Sequence, residues 1–158
     1  MEKIKIIRRA LEETDCFIWS DCDVLFFGPM TKHLLLELGD YDIACQYDSR
    51  GMYCAGFFIC RSSNSTKNLF RDIYEIMEKD HDTHDDDQDI LNKLIANSNG
   101  KFLSDRFWTV GLYLENNGYS MPWANQTIEI PKDILVFHAN WTIGIENKIK
   151  LLEMALNR

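Results

Sequence analysis

The sequence predicts an α/β fold, a β-sheet with helices packed on both faces. Apolar runs of strand length at 17–27, 41–46, 53–60 and 134–137 alternate with segments of helical period. The runs at 41–46 and 53–60 are apolar along nearly their whole length, as strands buried on both sides are. Turn signals such as Gly28-Pro29 and Gly39-Asp40 separate the segments. With 158 residues, the chain is expected to form a single domain over 1–158, burying roughly two thirds of its unfolded surface.

Residues 2–14 set Ile4, Ile7 and Leu11 on one face among charges, the pattern of an amphipathic helix beneath the sheet. The strand at 17–20 meets two acids, Asp21 and Asp23, and an apolar run resumes at Val24. Thr31 is a plausible N-cap for a short helix burying Leu34, Leu35 and Leu38. After the strands at 41–46 and 53–60, Asn64 or Ser65 caps a helix to about Lys79, with Leu69, Ile73, Ile76 and Met77 inward. The stretch 81–89 has the composition of an exposed acidic loop. It holds His81, Asp82, His84 and Asp85, which offer a surface metal site as the alternative. A helix carrying Ile90, Leu91, Leu94 and Ile95 follows, then a short strand at 101–103. Residues 104–130 show no sustained period and are expected to be irregular, with at most one hairpin. The strand at 134–137 delivers His138, and Gly144 opens a last helix with Ile145, Ile149, Leu152 and Ala155 or Met154 inward.

Seventeen basic against 25 acidic residues give a net charge of -8, which argues against binding to nucleic acid or an anionic membrane surface. The composition, 46% hydrophobic, is that of a folded protein rather than a disordered one. Five cysteines in apolar surroundings read as small buried hydrophobes in a reducing compartment. The charged N-terminus is unlike a signal peptide, and no apolar run approaches the ~18 residues of a membrane span, so a cytoplasmic location is expected.

Period-2 geometry puts Asp21 and Asp23 on one side if the chain stays extended, and paired carboxylates at the end of an apolar strand are costly to desolvate without a hard cation. In open α/β sheets ligands collect at the carboxyl ends of strands, where Asp21, Asp23 and His138 all fall. Two carboxylates and an imidazole suit Mn²⁺ or a similar ion, although His138 read alone is a satisfied strand-end histidine. Gly144 and Lys148 at a helix start can hold a diphosphate through free N–H groups, the helix dipole and an ammonium. Gly56, inside a strand, marks either a bulge or a close approach of backbone to a ligand.

Together, 19–24 (Trp-Ser-Asp-Cys-Asp-Val), 54–59 (Cys-Ala-Gly-Phe-Phe-Ile), 87–92 (Asp-Gln-Asp-Ile-Leu-Asn) and 138–141 (His-Ala-Asn-Trp), with Gly144 and Lys148, resemble the nucleotide-diphospho-sugar transferases of the GT-A fold. Within that fold the pattern is similar to the glycogenin, lipopolysaccharide galactosyltransferase and cell-wall transferase groups. The resemblance implies a Rossmann-related mixed sheet flanked by helices. It implies metal-dependent transfer, with retention, of a sugar from a UDP- or GDP-linked donor to an acceptor hydroxyl on a carbohydrate or glycoconjugate. Asp21, Asp23 and His138 would bind Mn²⁺ or Mg²⁺, and Asp21 would also reach the ribose or donor sugar. Gly144 and Lys148 would hold the phosphates. Asp87 would bind sugar hydroxyls, Gln88 would lie by the anomeric carbon, and backbone at Ala55 and Gly56 would line the pocket. Only one helix precedes the acid pair, so the resemblance implies a domain shortened at its N-terminus, whose exposed sheet favours a homo-oligomer. Two rivals stand beside it: a haloacid-dehalogenase-type phosphatase using Asp21 and Asp23 with Asp85–Asp87, and a non-catalytic metal- or nucleotide-binding fragment that needs a partner.

Overall fold

The structure, a computed structural model, describes residues 1–79 and 85–158; His81, Asp82 and His84 lie outside the described residues. The chain runs α1 (Glu2–Glu13), β1 (Cys16–Ser20), β2 (Val24–Phe26), α2 (Thr31–Leu38), β3 (Ile43–Tyr47), β4 (Tyr53–Arg61), α3 (Asn64–Lys79) and α4 (Asp87–Leu94). After a 3₁₀ turn at Ile95–Asn97 come β5 (Gly100–Phe102), β6 (Phe107–Thr109), α5 (Val110–Asn116), β7 (Val136–His138) and α6 (Ile145–Leu156).

The strands form two sheets, β1-β4-β3-β5 and β2-β7-β6. In the first, β4 is antiparallel to both neighbours and β5 parallel to β3. In the second, β2 is antiparallel and β6 parallel to β7. Consecutive strands β1 and β2 thus belong to different sheets, and the crossing between them is Asp21-Cys22-Asp23. The Asp21 N–H donates to Gly56 O on the first sheet (2.7 Å), and Asp23 O accepts from Ala139 N–H just past β7 on the second (3.0 Å). The condition that this stretch stays extended is not met, since Cys22 and Asp23 form a turn. Cys22 at its tip is exposed, and Cys16 is half-buried. Only Cys45, Cys54 and Cys60 are the buried thiols expected of all five.

Strand alternation divides β4 between two cores. Phe58 and Cys60 pack under α1, α3 and α4 against Ile4, Ile7, Leu11, Phe70, Ile73 and Ile90. Phe57 and Ile59 face α2 and the second sheet, meeting Leu34, Leu38, Phe107 and Val136. A third cluster lies under α5 and α6, where Trp108, Leu114, Phe137, Leu151 and Ala155 pack together. Each buried Leu, Ile or Phe of this kind stabilises the fold by about 1.5–3 kcal/mol before conformational entropy is set against it.

Several expectations change. The region 104–130 contains β6 and α5, because Phe107-Trp108-Thr109 finds a parallel partner in β7, 29 residues on in register. Thr31 is the first helical residue of α2 rather than its cap, since Met30 already has helical dihedrals; Leu35 is exposed. Ser63 starts α3 by exchanging hydrogen bonds with Thr66, and Thr66 and Phe70 replace the exposed Ile76 on its inner face. Helix α6 is rotated from its expected face: Leu151 and Ala155 are buried while Ile145 and Ile149 are 75% and 48% exposed. The buried face is the one that carries Lys148, which shares it at i, i+3 and i+7 with Leu151 and Ala155.

Candidate active site

Where the ends of β1 and β3, the start of β4 and the end of β7 meet, a cavity of about 200 Å³ is lined by polar side chains from distant parts of the chain. Its floor is a buried ion pair. His138 Nε2 lies 3.3 Å from Asp23 Oδ1, and the Lys148 ammonium bonds Asp23 Oδ2. Burial opposes charge on both Asp23 and His138. The mutual attraction, with Lys148 added, outweighs it and holds the Asp23 carboxyl well below the usual carboxylate range. His138 is pushed up to about 10, burial being overcome by the neighbouring Cys54 sulfur and by Asp23.

At the rim, Asp21 Oδ1 accepts from the Trp19 indole N–H at 2.9 Å. Lys3 of α1 lies 3.6 Å from the same oxygen and 2.7 Å from Asp87 Oδ2, tying the rim to α4. Between floor and rim sits Gly56. A Cβ there would lie 2.4 Å from His138 Cε1 and 3.0 Å from Asp21 Oδ2, so only glycine lets the two side chains converge. The strand irregularity falls on β3, between Cys45 and Tyr47, and the space above Gly56 is occupied by the chain's own site residues.

Asp87 and Gln88 are placed by a capping box. Asp86 accepts from the Gln88 and Asp89 N–H groups while Asp89 accepts from the Asp86 N–H, which fixes the first turn of α4. One turn apart, Gln88 and Asn92 then clamp β4 where its pairing with β1 has ended. Gln88 Oε1 accepts from Ala55 N–H (2.9 Å), and Asn92 bonds both N–H and C=O of Tyr53. Ala55 therefore enters through its backbone. Asp85 pairs with Lys93, so with Asp86 capping α4, neither acid joins Asp21 as the phosphatase reading requires. Gly144, with φ 85°, caps α6 away from the cavity lining.

Sequence reasoning misses Asp48. It is 3% exposed and accepts from Trp141 Nε1 (3.0 Å), Gln88 Nε2 (3.1 Å) and Asn140 Nδ2. Burial pushes its carboxyl up, and these donors only partly offset that. The signal available was position: Asp48 follows β3 directly, at the same carboxyl-end edge that singled out Asp21 and His138. Lys3 and Gln46 are missed as well, and Cys54 is read only as a buried thiol within the 54–59 motif. Larger grooves lie between α1 and α3 (about 450 Å³) and beside α6 (about 540 Å³), but neither gathers carboxylates around an imidazole.

The sequence model of the nucleotide-diphospho-sugar transferases matches residues 1–152. No curated protein sequence matches the chain. Among solved structures, the apo form of the glycosyltransferase GlyE of Streptococcus pneumoniae TIGR4 aligns with a TM-score of 0.61 at 17% identity, over 99% of this chain and 44% of that one. The galactosyltransferase LgtC, solved in complex with donor and acceptor sugar analogs, aligns with a TM-score of 0.53 at 17% identity, over 96% and 66%. The chain thus spans under half the length of GlyE and about two thirds of LgtC. At these identities the likeness is one of fold, and it bears out the expected mixed α/β architecture of GT-A type. With the family pattern running through all but the last few residues, the chain belongs to the nucleotide-diphospho-sugar transferase family.

Proposed function

We propose that the chain binds a UDP- or GDP-linked sugar through a divalent cation, Mn²⁺ or Mg²⁺, held by Asp21, Asp23 and His138, and passes the sugar to an acceptor hydroxyl. The observation that carries this reading is the convergence at Gly56. The Asp21 carboxylate and the His138 ring both close over Gly56, where a Cβ would have met them, and Asp23 Oδ1 lies 3.3 Å from His138 Nε2. Two carboxylates and an imidazole are a donor set that fits such an ion. Among the described residues no three His, Cys, Asp or Glu side chains are arranged to hold an ion as they stand. Asp23 becomes available once Lys148 leaves it, and Lys148 then has an ammonium to offer a phosphate at the start of α6. The bound cation would supply Lewis-acid stabilisation of the diphosphate leaving group. Gln88, its amide fixed between Ala55 N–H and Asp48, faces the cavity where the anomeric carbon would sit, and Asp87 at the rim would bind sugar hydroxyls. Transfer with retention is part of the same proposal.

Incubating the protein with Mn²⁺ and a panel of UDP- and GDP-sugars is expected to give nucleotide release that stops on chelation and in Asp23→Asn. An NMR assignment of the product anomer reads retention. Equal binding of nucleotide with and without Mn²⁺ would remove the cation from the reading. Phosphate release from a simple phosphomonoester, lost in Asp21→Asn and indifferent to nucleotide sugars, would replace it.

A further inference from the structure

Gln46 is 0% exposed, and its side chain reaches from β3 to the second sheet. It lies two residues after Ala44, and strand alternation turns both toward the second sheet, where Ala44 packs with Phe107, while Ile43 and Cys45 face the helices. Its amide nitrogen lies 3.3 Å from Phe107 O and 3.4 Å from Trp108 O, both on β6. Its amide oxygen lies 2.9 Å from His138 Nδ1. The reverse amide orientation would set Oε1 against two carbonyls, so β6 decides which end of the amide meets the imidazole. Facing an oxygen that only accepts, Nδ1 must carry a proton. Cys54 Sγ, 3.7 Å from the same nitrogen, is a second and weaker neighbour on that side.

We infer that Gln46 is a positioning residue: it keeps the proton on His138 Nδ1 and fixes the ring so that Nε2 is the nitrogen presented to the cavity. This rests on the cation reading above for its functional consequence, because Nε2 is then the ligating atom, its proton passing to solvent as the ion binds while Nδ1 keeps its own. A donor's orientation is set by what its other ring nitrogen bonds, and loss of such an outer partner costs about 10–100-fold in metal affinity.

The test is nitrogen-detected NMR on the full chain labelled with ¹⁵N-histidine, joined to Mn²⁺ titration followed by electron paramagnetic resonance without any nucleotide sugar. Wild type is expected to show a solvent-protected Nδ1–H signal for His138, assigned by its loss in His138→Asn. Gln46→Met, similar in size but with no acceptor, is expected to lose that signal and to weaken Mn²⁺ binding about 10–100-fold. Gln46→Glu, protonated on the oxygen that faces the Phe107 and Trp108 carbonyls, restores an acceptor for Nδ1 and is expected to recover both. A wild-type His138 protonated only on Nε2 would overturn the inference even if neither variant folds. An unchanged signal and Mn²⁺ affinity in folded Gln46→Met would overturn it too. A signal that responds to Gln46→Met in a protein that binds no Mn²⁺ would uphold the positioning by Gln46 and remove the cation reading instead.

Discussion

On the floor of the cavity Asp23 is 7% exposed and answers two cationic partners. At the rim, two residues earlier, Asp21 keeps 39% of its side chain in solvent and accepts from an indole N–H. Both acids come from one turn between two sheets, and both have a lysine nearby. What separates them is water. On the floor Asp23 and His138 have given up their hydration and depend on each other, with the half-exposed Lys148 as a third partner, so removing Asp23 strands a buried imidazole. At the rim, solvent and counterions screen whatever is lost. Floor residues should therefore report in stability and function together, and rim residues in function alone.

The largest test of that contrast is Asp23→Ala, which leaves the buried imidazole and Lys148 without their anion. It is expected to cost about 3–5 kcal/mol in urea unfolding of the metal-free protein. Asp21→Ala is expected to cost under about 1 kcal/mol. Equal costs would erase the distinction between floor and rim. Gly56→Ala comes next. Its methyl would overlap the His138 ring, and the ring is hemmed in by Gln46 and Asp23, so overpacking of about 1–3 kcal/mol is expected with loss of Mn²⁺ binding. Retained Mn²⁺ affinity in Gly56→Ala would mean that the ring can give way.

The floor also sets a pH signature. A depressed Asp23 contributes stability that is present above its unfolded value of about 3.9 and is lost as pH falls below it. A raised His138 contributes stability fully present below its unfolded value of about 6.5 and lost as pH rises from there through about 10. These are two ends of one contact and count once. The metal-free protein is thus expected to lose stability between pH 7 and 9 by more than Asp23→Asn does, as read from urea midpoints. Parallel curves would show that the floor pair is not charged.

Much of this was open to a reader of the sequence, and the difference again follows floor and rim. Asp21, Asp23, His138 and Lys148 are singled out because each falls at a strand end or helix start that local pattern reveals, Gly56 because it interrupts an apolar strand, and Gln88 through the family resemblance alone. Gln46 and Asp48 are not, since the one lies within an apolar strand and the other just after it as ordinary polar residues, and they acquire partners only through β6, β7, α4 and the segment after β7. The same long-range pairing hid β6, a three-residue strand that exists because β7 lies alongside it. In α6 the pattern misled. Ile145 and Ile149 look like a core face by hydropathy, but directing Lys148 into the cavity commits the helix to the face of Leu151 and Ala155.

The smallest expected effect on stability is at Lys3, and there the contrast can be sharpened most. Its ammonium lies between Asp21 and Asp87, whose side chains are 39% and 25% exposed, and 5.6 Å from the Trp19 ring centroid. Lys3→Met keeps the aliphatic stem against Trp19 and removes only the charge. Screened pairs of this kind contribute about 0–1 kcal/mol, so the urea midpoint is expected to move little. If Asp87 binds sugar hydroxyls as proposed, releasing it from Lys3 is expected to change KM for the nucleotide sugar by about tenfold, the equivalent of 1.4 kcal/mol. A loss of several kcal/mol of stability would instead show that Lys3, Asp21 and Asp87 are as dependent on one another as Asp23, His138 and Lys148, and that the rim belongs physically to the floor.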